Sequence, residues 1–377
     1  MKYTFIESDD QLQSICNDLF DQKVIGVDLE ADSMHCFKEK ICLLQIATDQ
    51  EAYLIDPFVV KNMIPFVHVL ENKDVIKIFH GSDFDVRSLD RDYNARIHNL
   101  FDTEIACRFL GVKERGLGAL LKVHFNVTAD KKFQKVDWSQ RPLKQDMIEY
   151  SVEDVAHLTK LYAILSHKLE ERGRFDWAKE EFEIQEQVRY EHNCDLPLFL
   201  KFKGAGRLDN RSLAVLENLL QLRIKIAQKK DRPLFKVISN EALLIMAFEK
   251  PTHLNQMVKM RALSPRQAEM YGEQCKDAIV AAIHLAHKDL PSYPRTHRPK
   301  KDTDVLKRVE RLKEMRESLS ASMGMESGIL LNNSAITAIA VENPNTPESL
   351  INIDSIRRWQ VEALGETIMT TLGHRQR

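Results

Sequence analysis

The chain contains few cysteines and no long apolar segment, and both scarcities restrict the classes of protein to which it can belong. Six of its 377 residues are cysteine, and none forms a Cys-x-x-Cys pair, so we expect neither a disulfide framework nor a zinc site. The apolar runs are short and interrupted by charges, which predicts that no segment spans a bilayer. The first residues lack the charged and apolar regions of a secretory signal. These observations predict a reduced, cytoplasmic protein without membrane contacts.

A strong net charge is also lacking, but the value of -2 combines opposite excesses in different parts of the chain. Residues 1–200 contain 25 Lys and Arg against 36 Asp and Glu, whereas residues 201–300 contain 19 against 9. An acidic first part could hold cations, and a basic middle part could hold a polyanion such as nucleic acid. A solvated, lysine-rich helical face explains the basic part equally well.

The hydrophobic pattern divides the chain into an α/β part and a helical part. Short β-branched runs such as VIGVDL, ICLLQIAT, EAYLID and VIKIFH alternate with helical patterns near the start, which predicts a mixed sheet. From about residue 143 the periodicity becomes helical, and LPLFLKFKGAG then carries helix breakers. We therefore predict a first domain over residues 1–200.

The remaining sequence contains an internal repeat. A shift of 93 positions places Leu222-Arg223 on Met315-Arg316, and Gly272-Glu273 on Gly365-Glu366. A constant offset over some fifty residues predicts two similar all-helical domains, over residues 204–290 and 301–377.

Four acidic residues lie beside apolar sequence in the first domain: Asp28, Glu30, Asp85 and Asp154. A carboxylate without a partner is costly in a protein core, so acids gathered in a dry cleft imply a bound cation. Asp28 and Glu30 are two apart on a predicted strand and therefore share a face. The alternative is that the strand ends at Glu30 and both acids are solvated.

The other two acids have alternative explanations as well. Asp85 fits the third helical position of a capping box that begins at Ser82, and Asp83 competes with it for any functional role. Tyr150 and Asp154 are four apart on a predicted helix and share a face, where the tyrosine could orient a water molecule. A half-buried tyrosine beside a surface acid is the alternative.

The motifs DLE, HGSDFD, FDTEIACRFLG, FQKVDWSQRPL and YSVED occur in an order that resembles the ribonuclease D family. That family comprises 3′→5′ exonucleases with a ribonuclease H-like fold and four acidic metal ligands. Tyr150 lies four residues before Asp154, and Glu149 occupies the position where a second branch has histidine, so the tyrosine branch is indicated. The helical repeats resemble the family's HRDC domains. The resemblance implies an α/β ribonuclease H-like exonuclease domain followed by two all-α HRDC domains.

The resemblance also implies a site with two divalent metal ions, Mg²⁺ or Mn²⁺. Asp28 would bridge both ions, Glu30 and Asp154 would hold the ion that activates water, and Asp85 would hold the second. Tyr150 would align the attacking water. The acidic Glu153 departs from the small residues that are usual there, which affects the expected metal preference. The residues implied near the substrate are Leu29, Gln45, His80, Trp138, Arg141 and Lys132, with packing and channel roles expected for Trp138, Arg141 and Asp102.

The function that the resemblance implies is trimming of RNA 3′ ends with release of 5′-mononucleotides, by a monomer. Its expected partner is RNA with a free 3′ end, such as precursor tRNA or another structured RNA. We expect the basic first repeat to contact RNA phosphates, and the second repeat to pack on the molecule and close it around the active site. The alternatives are a 3′→5′ DNA exonuclease of the proofreading type and a catalytically inactive RNA-binding protein on the same fold.

Overall fold

The computed structural model describes residues 1–128, 132–191, 196–294 and 302–374. Two compact units are present. The first comprises Met1–Ala31, Ile41–Tyr190 and Arg298–Arg377, and the second comprises Asp32–Lys40 and Glu191–His297. Among the described helices, none combines the length and apolar character that crossing a membrane requires.

A six-stranded mixed sheet forms the centre of the first unit, and its strand order is β1-β4-β3-β2-β5-β6. β3 pairs antiparallel with β2 and β4, and the other neighbours are parallel. Every residue of β3 is buried, as its nearly continuous aliphatic sequence predicts. The strands are β1 (Lys2–Ile6), β2 (Val24–Ala31), β3 (Ile41–Ala47), β4 (Glu51–Ile55), β5 (Ile76–Phe79) and β6 (Leu100–Asp102).

Helices accompany the sheet: α1 (Asp9–Phe20), α2 (Ile64–Glu71), α3 (Asp83–Tyr93), α4 (Thr103–Phe109), α5 (Leu117–Phe125), α6 (Gln145–Ala156), α7 (Leu158–Glu171) and α8 (Phe175–Glu186). Both α6 and α7 pack against β2. A glycine in β2 permits this approach, because a Cβ atom on Gly26 would lie 2.9 Å from Leu158 Cβ and 3.3 Å from the Val155 carbonyl oxygen. The sheet face that carries Gly26 therefore faces the junction of α6 and α7.

The two helical repeats have the same series of elements, each displaced by 93 residues. The first repeat, in the second unit, contains α9 (Asn210–Lys230), α10 (Leu234–Val237), α11 (Asn240–Glu249), α12 (Leu254–Lys259) and α13 (Pro265–Ile283). The second repeat, in the first unit, contains α14 (Thr303–Met323), α15 (Ser327–Leu330), α16 (Asn333–Glu342) and α17 (Arg358–Leu372), with a 3-10 segment at Pro347–Asn352 in place of α12. The predicted duplication is confirmed.

The duplication extends to a hydrogen-bonded arginine inside each repeat. Arg223 Nη1 donates to the Ile238 carbonyl oxygen at 3.2 Å and to Asn240 Oδ1 at 2.7 Å. The equivalent Arg316 Nη1 donates to the carbonyl oxygen of Leu331 at 3.0 Å and to Asn333 Oδ1 at 3.1 Å. Each arginine thus joins the long first helix of its repeat to the turn before the third.

Within the first unit, the second repeat packs against the α/β part through the start of α17. The carboxylate of Glu180 accepts hydrogen bonds from the backbone N–H groups of Arg358 at 2.8 Å and Trp359 at 2.9 Å. The Trp359 ring stacks on Trp177 with centroids 5.0 Å apart and meets the edge of Phe109 at 5.4 Å. The packing predicted for this repeat is present, on α8 and α4. Its closure around the active site stays a prediction.

We predict that Arg223→Ala destabilises the first repeat. The guanidinium is buried, and its loss leaves the Ile238 carbonyl and the Asn240 side chain without their donor, which costs about 2–4 kcal/mol. The measurement is thermal unfolding followed by circular dichroism. Lys225→Ala, an exposed cation on the same helix, is the control and should melt as the parent protein does. Equal melting of Arg223→Ala and the parent would contradict the prediction.

Candidate active site

Three of the four predicted acids meet at one place in the first unit. Asp28, Glu30 and Asp154 each offer a carboxylate oxygen, and these oxygens all lie within 4.8 Å of one another. Asp28 and Glu30 project from the same face of β2, and α6 brings Asp154 onto that face. The predicted shared face of the two strand residues is confirmed.

The fourth acid, Asp85, lies in the first turn of α3 and is 7% exposed. It is not part of the group of oxygens within 4.8 Å. Its negative charge nevertheless raises the pKa of both Asp28 and Glu30. Asp85 therefore faces the cluster closely enough to interact with it electrostatically.

Burial makes the ionised form of these acids unfavourable. Desolvation is the largest cause that raises the pKa of Asp28 and Glu30 well above their usual values, and the neighbouring carboxylates add to it. Desolvation also raises the pKa of Asp85 and of Asp154 to about 7. A bound cation would offset both desolvation and repulsion.

The donor atoms fit a divalent metal ion of a particular class. All of the clustered ligand atoms are carboxylate oxygens, which suit Mg²⁺, Mn²⁺ or Ca²⁺ better than zinc. The site therefore has the ligand chemistry that a hard divalent cation prefers.

Tyr150 is a hydrogen-bond donor at this site. Its hydroxyl donates to the Asp154 carboxylate, which partly offsets the effect of burial on the pKa of Asp154. Burial and the surrounding acids raise the pKa of Tyr150 above its usual value, so the phenol keeps its proton. The ring packs against Phe133 at 5.5 Å and Trp138 at 6.2 Å between centroids.

Asp102, for which we expect a packing or channel role, holds the turn that precedes α3 and Asp85. Asp102 Oδ1 accepts from the Gly81 N–H at 3.0 Å, while Oδ2 accepts from the Ser82 N–H and the Ser82 hydroxyl, both at 2.7 Å. Gly81 has φ +74°, which favours glycine. The capping box that was the alternative explanation for Asp85 is absent, because the Ser82 hydroxyl donates to Asp102 and does not cap α3. Asp102 is twenty residues away in sequence, and no local pattern reveals this contact.

A cleft of about 420 Å³ opens in front of the acids. Asp28, Tyr150 and Asp154 line one part of it, and His80, a predicted substrate residue, also lines it. His80 Nδ1 lies 2.8 Å from Thr103 Oγ1. Sequence reasoning missed several lining residues, because they reach the cleft from distant turns: Glu114, Gly116, Leu117 and Gln134.

Three other predicted substrate residues have little or no surface to offer RNA. Gln45 is 0%, Trp138 1% and Leu29 6% exposed. For Gln45 and Leu29 a side-chain contact with substrate disagrees with this burial, and we correct the prediction to a role inside the domain. The burial of Trp138 agrees with the packing role expected for it. Gln45 interrupts an aliphatic strand, and its sequence neighbourhood does not distinguish a buried polar group from one that lines a cleft.

The last two predicted substrate residues, Arg141 and Lys132, differ in how firmly other groups of the protein hold their side chains. Arg141 forms a bidentate ion pair with Asp56, at 2.6 and 2.9 Å, and also donates to the Cys42 carbonyl oxygen at 2.6 Å. This side chain joins the segment before α6 to β3 and β4, which agrees with the packing role. Lys132 is exposed, and its Nζ lies 4.0 Å from Asp146 Oδ2.

Comparisons with known proteins agree with this geometry. The chain matches the 3′-5′ exonuclease family over residues 3–170 and the HRDC domain family over residues 212–280 and 305–372. It is 27% identical to ribonuclease D of Nitrobacter hamburgensis over 362 residues, which cover 95% of this chain and 92% of that protein. It is 30% identical to ribonuclease D of Zymomonas mobilis over 287 residues, which cover 74% of this chain and 73% of that protein.

A solved structure shows the same fold over the whole chain. The Escherichia coli RNase D crystal structure covers 100% of both chains with a TM-score of 0.77 and 22% sequence identity. The order of domains, the acidic cluster on β2 and α6, and the extent of the sequence similarity lead to one assignment. This chain belongs to the ribonuclease D family of 3′→5′ exoribonucleases.

Proposed function

We propose that the acidic cleft hydrolyses RNA from its 3′ end with two divalent ions, Mg²⁺ or Mn²⁺, and releases 5′-mononucleotides. The observation that carries this proposal is the meeting of Asp28, Glu30 and Asp154 within 4.8 Å, with Tyr150 bonded to one of them. A precursor tRNA or another structured RNA is the proposed substrate. The similarity to proteins named ribonuclease D supports an RNA substrate.

The roles that we propose for these side chains are those that the family resemblance implies, and the meeting of Asp28, Glu30 and Asp154 supports them. Asp28, Glu30 and Asp154 would hold one ion, and Asp85 together with Asp28 would hold the other. When bound, such ions supply a water nucleophile at neutral pH and neutralise charge on the attacking and leaving oxygens. Tyr150 keeps its proton and donates it in a hydrogen bond at the cluster, so it can orient a water molecule there. His80, on the wall of the cleft, would contact the terminal nucleotide.

We propose that the first repeat contributes to RNA binding through its positive charge. The excess of Lys and Arg over residues 201–300 is the largest in the chain, and Lys225, Lys229 and Arg232 are exposed around the end of α9. Phosphate contacts release counterions and are independent of base sequence. A monomer is sufficient for these roles.

Asp154→Asn should reduce mononucleotide release from 3′-extended RNA by about 10³-fold or more, because the amide cannot contribute negative charge at the cluster. RNA binding, measured by fluorescence anisotropy, should change little. Glu149→Gln is the control, since Glu149 is exposed on the same helix and does not line the cleft. The cleavage assay uses RNA and DNA of matched sequence with Mg²⁺, Mn²⁺ or EDTA. Internal cuts, or cleavage in EDTA, would refute the proposal, and equal cleavage of DNA would favour the proofreading-type alternative.

Divalent ions should raise the Tm of the parent protein by roughly 2–8 °C, and by more at pH 8 than at pH 5.5. The pKa values of Asp85 and Asp154 are raised to about 7 in the folded protein, so ionisation lowers stability as the pH rises through that value. Asp28→Asn should raise the Tm without metal, because it removes one repelling charge, and should abolish most of the metal-induced increase. A metal-induced increase that is the same in both proteins would contradict the proposed ligand set.

The triple variant Lys225→Ala, Lys229→Ala, Arg232→Ala should weaken RNA binding and make it less dependent on salt. Each lost phosphate contact reduces the slope of log K against log salt by about 0.7 for single-stranded RNA. The matched control changes three exposed cations of the second repeat, Lys307, Arg311 and Lys313, to alanine. If both triple variants bind with the same slope, the first repeat has no special part in RNA binding.

A further inference from the structure

A buried glutamine beside the catalytic strand has a polar side chain that the protein itself does not satisfy. Gln45 lies in the middle of β3 and is 0% exposed. Among the described residues, neither its Oε1 nor its Nε2 has a hydrogen-bond partner. A buried amide without a partner destabilises the folded protein, and an aliphatic residue like its neighbours in ICLLQIA would avoid that cost. This position therefore calls for a functional explanation.

The strand register places Gln45 beside the acidic cluster. Gln45 is the direct partner of Asp28 in the antiparallel pairing of β3 with β2. Directly opposed residues of an antiparallel pair project on the same face, with Cβ atoms about 4.5–5.5 Å apart. On its other side Gln45 opposes Leu54 of β4, which has no polar group in its side chain. Of the two cross-strand neighbours, Asp28 is thus the one that can accept a hydrogen bond.

The helix that carries Asp154 packs over the same region. α6 contacts β2, β3 and β4. Asp28 reaches the cleft, whereas Gln45 has no exposed surface and does not line the cleft. Gln45 therefore lies beside Asp28 on the same sheet face, buried next to the wall of the cleft.

We propose that Gln45 is a positioning residue for Asp28, and this inference rests on the proposed function of the cluster. Its Nε2 donates a hydrogen bond to the Asp28 carboxylate when that group is ionised to hold a divalent ion. Such a bond fixes the direction in which the remaining oxygen lone pairs point. A neutral amide suits this task because a lysine there would neutralise Asp28 and repel the cation. A glutamate would add to the repulsion already present among the acids.

The test uses Gln45→Met, which keeps the length of the side chain and removes both polar atoms. Without metal, its Tm should equal or exceed that of the parent protein, because the orphaned amide is gone. The Mn²⁺ or Mg²⁺ concentration that gives half of the maximal Tm increase should rise by about 10-fold or more. In the cleavage assay, kcat should fall at limiting metal and recover at high metal, while KM for RNA should stay unchanged.

Gln185→Met is the matched control. Gln185 also has a buried Nε2 without a partner among the described residues, but it lies on α8 and does not line the cleft. Its replacement should leave the metal response as in the parent protein.

A Gln45→Met protein whose metal response equals that of the parent would overturn the inference. If the Tm of that protein without metal were also lower, Gln45 would have a purely structural role. A parent protein that shows no metal-dependent RNA cleavage would instead refute the proposed function, so the two failures are distinguishable.

Discussion

Repulsion among carboxylates that have lost part of their hydration is the constraint on which the active site depends. Desolvation raises the pKa of all four acids, and the charges of neighbouring carboxylates raise it further, so the fold holds these acids in place against an electrostatic cost. The backbone spacing along β2 and the packing of helices against that strand hold the acids in place. Asp28 and Glu30 are two apart on one strand, and Gly26 lets the α6–α7 junction approach that strand. Asp102 fixes the loop before Asp85 through bonds to two backbone amides and a hydroxyl. A bound cation would offset the repulsion among these carboxylates, so the site favours cation binding.

The duplicated helical domains show how one framework can acquire two surfaces. Arg223 and Arg316 make equivalent hydrogen bonds within their repeats, so the two repeats share this part of their interior. The start of α17 in the second repeat donates two backbone hydrogen bonds to the Glu180 carboxylate and places Trp359 against Trp177 and Phe109. At the equivalent positions of the first repeat, Pro265 has no N–H group to donate and Arg266 replaces the tryptophan. The interior thus specifies the fold of each repeat, and surface substitutions determine what each one contacts.

Polar residues near the site illustrate where pattern-based prediction ends. His80 lines the cleft, as predicted, whereas Gln45 and Trp138 are buried. In the sequence all three are polar or aromatic residues near apolar runs. Whether each side chain is buried or lines the cleft depends on the elements that pack over it, and α6 packs on β3, which carries Gln45. The capping-box alternative for Ser82 requires an extended backbone at that residue, but Ser82 has helical φ and ψ angles and its hydroxyl donates to the distant Asp102 carboxylate.

The sequence by itself determined the α/β and helical parts, the duplication at an offset of 93, and the identity of the acids and the tyrosine. These features follow from periodicities of two and 3.6 residues, from a constant spacing, and from chemical types that are read directly along the chain. Only the tertiary structure decided that Asp154 reaches the oxygens of Asp28 and Glu30, that Asp102 holds the Asp85 loop, and that Gln45 lies buried beside Asp28. Contacts between residues distant in sequence depend on strand order, register and helix packing, and local patterns do not encode those relations.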